Sequence, residues 1–97
     1  MINLKSKREI EIMRGACRIV AEILEELRPH CKVGVATLEL DAIAEARTLK
    51  AGAKPAFKGY RGYPRALCAS INQQVVHGIP GHIVLKEGDI ISLDFGV

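Results

Sequence analysis

Asp89-Ile-Ile-Ser-Leu-Asp-Phe-Gly-Val97 decides how the chain is read. Side chains alternate across a strand, so Ile91, Leu93, Phe95 and Val97 share one face, and Ile90, Ser92, Asp94 and Gly96 share the other. The first face is apolar enough for a core. The second carries one carboxylate, Asp94, late in a strand that is otherwise apolar or small. An isolated buried charge is very costly, so this group must be solvated, paired or bound to a cation. A wetted strand-end Asp and a metal ligand both satisfy that requirement. Lys86-Glu87-Gly88 reads as the tight turn that launches the strand.

Upstream, Ala66 to Ile71 reads as a short strand, with Leu67, Ala69 and Ile71 on one side and Cys68, Ser70 and Asn72 on the other. Gln73-Gln74 suggests a turn, and Val75-Val76 starts another extended piece that ends at His77-Gly-Ile-Pro-Gly81. His77 precedes a turn fixed by proline, where an imidazole can reach a ligand or simply face water. Phe57-Lys-Gly-Tyr-Arg-Gly-Tyr-Pro64 gathers three of the four aromatic residues around two glycines, with Lys58, Arg61 and Arg65 among them. Such a loop can stack on bases, wall an apolar pocket, or be an ordinary aromatic turn.

The N-terminal half reads as two helices. Ser6 and Glu9 fit a capping box. Ile10, Met13, Cys17, Val20, Leu24 and Leu27 then recur at gaps of 3, 4, 3, 4 and 3, an amphipathic stripe suited to lying on a sheet. The run closes at Arg28, ahead of Pro29. After a connector with Gly34, Thr37 is the expected N-cap of a second helix. Leu40, Ile43, Ala44 and Ala51 form its weaker inner stripe, Glu39, Asp41, Glu45, Arg47 and Lys50 its outer face, and Gly52 its stop.

Bulk composition fits one soluble globular domain. The 97 residues are 48% apolar and 26% charged, with net charge +3. A chain this size buries roughly 60–68% of its extended surface. The small charge excludes a specific nucleic-acid partner as the leading reading. No apolar run reaches the length of a membrane span, and no secretion segment follows the first basic residues. Three cysteines without CxxC spacing argue against a disulfide framework or a cysteine zinc site, and for a cytoplasmic setting. There is no internal repeat, GxGxxG, P-loop, HExxH or GxSxG.

Taken in order, these pieces resemble the N-terminal part of the type I methionine aminopeptidases. The resemblance is carried by Arg8-Glu-Ile-Glu-Ile-Met13, Thr37-Leu-Glu-Leu-Asp-Ala-Ile-Ala-Glu45, Gly52-Ala-Lys-Pro-Ala-Phe-Lys-Gly-Tyr60, Cys68-Ala-Ser-Ile-Asn72, Val76-His-Gly-Ile-Pro80 and Leu85-Lys-Glu-Gly-Asp-Ile-Ile-Ser-Leu-Asp94. It implies an α+β domain over residues 1–97: the N-terminal half of a pita-bread (creatinase/aminopeptidase) fold, two helices packed on an antiparallel sheet. It implies a metalloprotease that removes the initiator methionine from nascent polypeptides, using two divalent ions (Co, Mn, Fe or Zn). Asp94 matches the first carboxylate ligand. His77 matches a catalytic, substrate-contacting histidine. Phe57, Tyr60, Tyr63 and Cys68 match the walls of the methionine pocket. Relatives often have Gly where Cys17 stands.

The family's remaining ligands, a second Asp, a His and two Glu, follow later than Val97. The expectation is therefore a truncated first half, inactive alone, binding the metal pair only in part. Its final strand should be an open edge, with Ile91, Leu93 and Phe95 lacking cover. Two other readings stay open. One is a non-catalytic half-fold that binds a protein partner, or the ribosome through Lys5, Lys7, Arg8, Arg14 and Arg18. The other is an aromatic-basic loop that binds single-stranded nucleic acid.

Overall fold

The computed structural model describes residues 2–73 and 78–97. Helix α1 spans Lys7–Leu27 and α2 spans Thr37–Lys50; strands β1 (Leu67–Ile71) and β2 (Ile91–Phe95) follow. The strands pair antiparallel in the register Leu67↔Phe95, Cys68↔Asp94, Ser70↔Ser92 and Ile71↔Ile91. The core lies between this sheet and the helices. It consists of Ile23 and Leu27 from α1, Leu40 and Ala44 from α2, Ala66, Leu67 and Ala69 at β1, and Phe95 from β2. Burying each of the larger of these side chains is worth roughly 1.5–3 kcal/mol.

Helix α1 begins where its sequence says it should. The Ser6 hydroxyl accepts from Glu9 N–H at 3.1 Å, and the Glu9 carboxylate accepts from Ser6 N–H at 2.8 Å. It ends at Leu27, and Arg28–His30 continues as a 3-10 turn over Pro29. Only the C-terminal part of its stripe is covered. Ile23 and Leu27 are buried, whereas Ile10, Met13 and Cys17 are exposed. Ile23 lies outside the sequence-derived stripe. The helix crosses the core near its C-terminal end, so position along the axis decides burial as much as angular position does.

Helix α2 corrects the sequence reading at three places. Ala36 is the N-cap and offers no side-chain bond; Thr37 is the first helical residue. The Thr37 hydroxyl is used elsewhere, accepting from Gly81 N–H at 2.8 Å and donating to Gly81 C=O at 3.3 Å. Asp41, assigned to the outer face, is buried. Its carboxylate oxygen Oδ1 accepts from the Ala66 and Leu67 amides at 2.8 and 2.9 Å. Ala51 is exposed and caps the C-terminus rather than joining the inner stripe. Gly52 stops the helix as expected, with φ +79 and its N–H donating to Leu49 C=O.

The connector before α2 is not free. Gly34 N–H donates to Leu85 C=O, Leu85 N–H to Val35 C=O, and Thr37 N–H to Ile83 C=O, with a bridge at Ala36↔Val84. The turn at Lys86–Gly88 forms, with Gly88 at φ +86 and Lys86 N–H bound to the Asp89 carboxylate. Strand β2 is shorter than the quoted stretch because Asp89 is consumed by that turn and by Asn72, whose amide donates to it at 3.0 Å.

Leu67 and Ala69 enter the core as expected, but Cys68 and Ser70 on the other face are buried as well. The segment at Gly78 covers them. Ala69 N–H donates to Gly78 C=O at 2.8 Å, and Gly78 N–H donates to Ser70 Oγ at 3.0 Å. A Cβ on Gly78 would stand 2.2 Å from the Ala69 carbonyl oxygen, so only glycine fits this close approach. On β2, Phe95 is 7% exposed and Ile91 and Leu93 are half-buried. The expectation that these residues lack cover is corrected: the helices already shield that face.

Candidate functional site

The strand register brings Cys68 and Asp94 opposite each other on the face turned away from the core. Beside them the loop from Phe57 to Pro64 curls back. Gly59 (φ +86) and Gly62 (φ +80) allow the curl, and a 3-10 turn at Tyr60–Gly62 completes it. Gly59 N–H donates to Tyr63 C=O at 2.8 Å, and Tyr63 N–H donates to Tyr60 C=O at 2.9 Å. The base of the loop is tied on both sides. Ala56 N–H donates to Gly96 C=O at 2.9 Å, and the Lys58 ammonium pairs with Glu45 of α2 at 2.6 Å.

Between loop and sheet lies a cavity of about 520 Å³, lined by Phe57, Tyr60, Arg61, Gly62, Tyr63, Pro64, Cys68, Ile79 and Asp94. Phe57 and Tyr63 meet edge to face, centroids 6.4 Å apart at 83°. The Tyr63 hydroxyl donates to Leu67 C=O at 2.9 Å and lies 3.4 Å from Gly78 C=O. That ring is therefore locked to β1 and to the Gly78 segment. Burial, and secondarily the Cys68 thiol and the negative charges of Asp41 and Asp94, push the Tyr63 phenol well above its ordinary range.

Five of the six residues singled out from the sequence thus wall one cavity: Phe57, Tyr60, Tyr63, Cys68 and Asp94. The sixth, His77, lies outside the described residues; its neighbour Gly78 is hydrogen-bonded to β1. Asp94 is exposed, and its carboxylate makes no hydrogen bond or ion pair with the described residues. A single carboxylate fits one place in the ligand set of a hard divalent ion, not the whole set. No cluster of three metal-ligating side chains occurs among the described residues.

Two contributions were not visible in the sequence. Arg61 was read only as one base among several, yet it lines the cavity with a backbone φ of +48. Its place between two glycines was the available signal, because such spacing marks a loop that bends through left-handed conformations. Ile79 also lines the cavity although it is exposed. An isoleucine set in a Gly-Ile-Pro turn is an apolar side chain in an otherwise solvated element, and that was its only mark.

Known proteins are similar to this chain in sequence and in fold. The sequence profile of metallopeptidase family M24 matches residues 11–97. Methionine aminopeptidase 1 of Bacillus subtilis is 56% identical over 96 residues, which are 99% of this chain and 39% of that protein. The methionine aminopeptidase of Clostridium perfringens is 50% identical over 97 residues, 100% of this chain and 39% of that protein. The crystal structure of methionine aminopeptidase from Thermotoga maritima superposes with a TM-score of 0.95 at 43% identity, covering 98% of this chain and 39% of that one. A Bacillus anthracis Xaa-Pro dipeptidase superposes at 0.74 with 22% identity, over 96% of this chain and 25% of that one, a likeness of fold alone. These neighbours have the pita-bread fold, so the two helices and antiparallel strand pair are part of that architecture. The chain spans about two fifths of the length of the curated relatives it matches. The profile covers residues 11–97 and the Bacillus subtilis relative aligns with 99% of the chain, and on that ground the chain belongs to metallopeptidase family M24.

Proposed function

We propose that this chain carries the side-chain pocket and one metal-ligating carboxylate of a methionine aminopeptidase, which removes the initiator methionine from nascent polypeptides. One observation carries the reading: Asp94 opens onto the same cavity as Phe57, Tyr60, Tyr63 and Cys68. A thioether side chain packs well against ring edges and sulfur, the surfaces this cavity offers. The locked Tyr63 ring and the T-shaped Phe57 contact fix the pocket's width before any ligand enters, which lowers the ordering cost of binding. Asp94, an exposed member of the lining, would supply oxygen ligands to a divalent ion. In the reading carried over from the family that ion is one of a pair of Co, Mn, Fe or Zn. Bound there, the metal pair would supply an activated water and polarise the scissile carbonyl. In the reading carried over from the family, His77 would be the histidine that contacts the substrate.

In this reading the substrates are nascent chains beginning with methionine, met in the cytoplasm. Lys5, Lys7, Arg8 and Arg18 would be the ribosome-facing charges; Arg14 is already paired with Glu11 at 3.2 Å. The names of the relatives favour a peptidase over a non-catalytic module.

The test joins residues 1–97 to the remainder of the Bacillus subtilis relative and assays hydrolysis of Met-Ala-Ser with Mn²⁺ or Co²⁺. The 97-residue chain alone should be silent and the chimera should cleave. Asp94→Asn should lower turnover more than about a hundredfold, beyond the loss typical of residues that only orient a ligand. Turnover that survives Asp94→Asn defeats the assignment.

A further inference from the structure

Arg61 is held at a conformational disadvantage. Its φ of +48 and ψ of +36 place a non-glycine residue in the left-handed region, between Gly59 and Gly62, which are also at positive φ. For an L-residue that conformation is unfavourable, and glycine at the same position would relieve it. The backbone therefore gains nothing from arginine here, and the reason for the residue lies in its side chain.

The side chain is set against a ring and is otherwise exposed. Its guanidinium carbon sits 5.3 Å from the centroid of the Tyr60 ring, within cation–π range. Arg14, Arg28 and Arg47 each pair with a glutamate. Arg61 has no carboxylate partner among the described residues. It lines the same cavity as Asp94, so an otherwise apolar hollow carries one carboxylate and one guanidinium that is set against the Tyr60 ring. A guanidinium is always charged and presents a planar fork matched to a carboxylate.

The geometry points to Arg61 as a substrate-selecting residue that pairs with a carboxylate borne by the peptide whose methionine fills the pocket. That carboxylate is either an acidic side chain shortly after the methionine or the C-terminus of a very short peptide. The inference rests on the peptide-binding role proposed for the cavity.

Equilibrium binding to the 97-residue chain tests it without metal or turnover. The amide resonances of Gly59, Gly62 and Cys68 are followed by NMR during titration with Met-Ala-Asp-Ser-amide and with its neutral isostere Met-Ala-Asn-Ser-amide. A second pair compares Met-Ala-Ser with Met-Ala-Ser-amide. Solvent-exposed ion pairs are weak, so the charged member of a pair should bind about two- to fivefold tighter. The ratio should shrink as salt rises. Arg61→Gln should bring it to one, and Arg61→Lys, which keeps the charge but not the fork, should keep only part of it. A preference confined to the first pair identifies an acidic side chain as the source, and one confined to the second identifies the C-terminus. Ratios of one in both pairs, or ratios that persist in Arg61→Gln, overturn the inference while leaving the pocket reading intact. Failure of all four peptides to shift the cavity resonances overturns the pocket reading itself.

Discussion

Asp41 shows how much one side chain can hold. Its carboxylate oxygen Oδ1 receives the amides of Ala66 and Leu67, the two residues through which the cavity loop enters β1. Asp41→Ala leaves both amides buried without a partner, and each such group is worth about 1–3 kcal/mol. Urea unfolding should show a loss of several kcal/mol. Asp41→Asn keeps a carbonyl acceptor at the same place and should lose clearly less. Tyr63 gives a second prediction at this scale. Its folded phenol titrates above the unfolded value, which is near 10. A raised acid favours the neutral form in the folded state. The stability it contributes is fully present below pH about 10 and is lost as pH rises from there toward the folded value. Denaturation midpoints measured across alkaline pH should fall more steeply in the native chain than in Tyr63→Phe. Neither role was readable from the sequence. Its charge put Asp41 among the outer-face acids although it stands three residues before Ala44 on the same side of the helix, and the approach of residues 66–67 makes it an interior acceptor.

At the scale of elements, local chemistry and tertiary coverage part company along α1. The capping box at Ser6 and Glu9 is complete, and the two amides it satisfies lie within three residues of each other. Losing an N-cap hydroxyl typically costs about 1 kcal/mol. The first turns of α1 are exposed, however, so Ser6→Ala should loosen that end more than it lowers global stability. Hydrogen exchange should accelerate at Glu9 and Ile10 while the amides near Ile23 and Leu27 stay protected. The strands tell the same story in reverse. Alternation along β2 correctly separated Phe95 and Leu93 from Asp94, because period two is a property of the backbone itself. Alternation along β1 separated its faces equally well but could not foresee that both would be buried. The Gly78 segment that covers Ser70 pairs through backbone groups, and these leave no trace in a hydropathy pattern.

For the molecule as a whole, the consequential feature is an uncovered apolar groove. Met13, Ala16, Cys17, Val20, Ala21 and Leu24 of α1 face Phe95, Gly96 and Val97 across a hollow of about 450 Å³. Ile2, Leu4, Ile10 and Ile12 are exposed nearby in sequence. Exposed apolar surface of this kind favours association. Sedimentation velocity of the 97-residue chain should show self-association that grows with concentration. Met13→Lys should reduce it without changing the Asp94 cavity, from which Met13 is absent. Cys17 belongs to this groove and is exposed, so its thiol is not packed into the core as a helix-face reading would have it.

Read without its fold, the chain already specifies what is local. It specified the cap and span of the first helix, the glycine that stops the second, the turn at Lys86–Gly88 and the two faces of β2. Each of these follows from backbone geometry acting over a few residues. The tertiary structure alone decided which oxygen of a surface-like acid would serve β1 and which part of the long stripe would be covered. It also set Arg61 beside Asp94 at one cavity, although 33 positions separate them in the chain. The physical reason is common to all three. Burial and partnership belong to pairs of distant segments, and a chain fixes such pairs only when its elements pack.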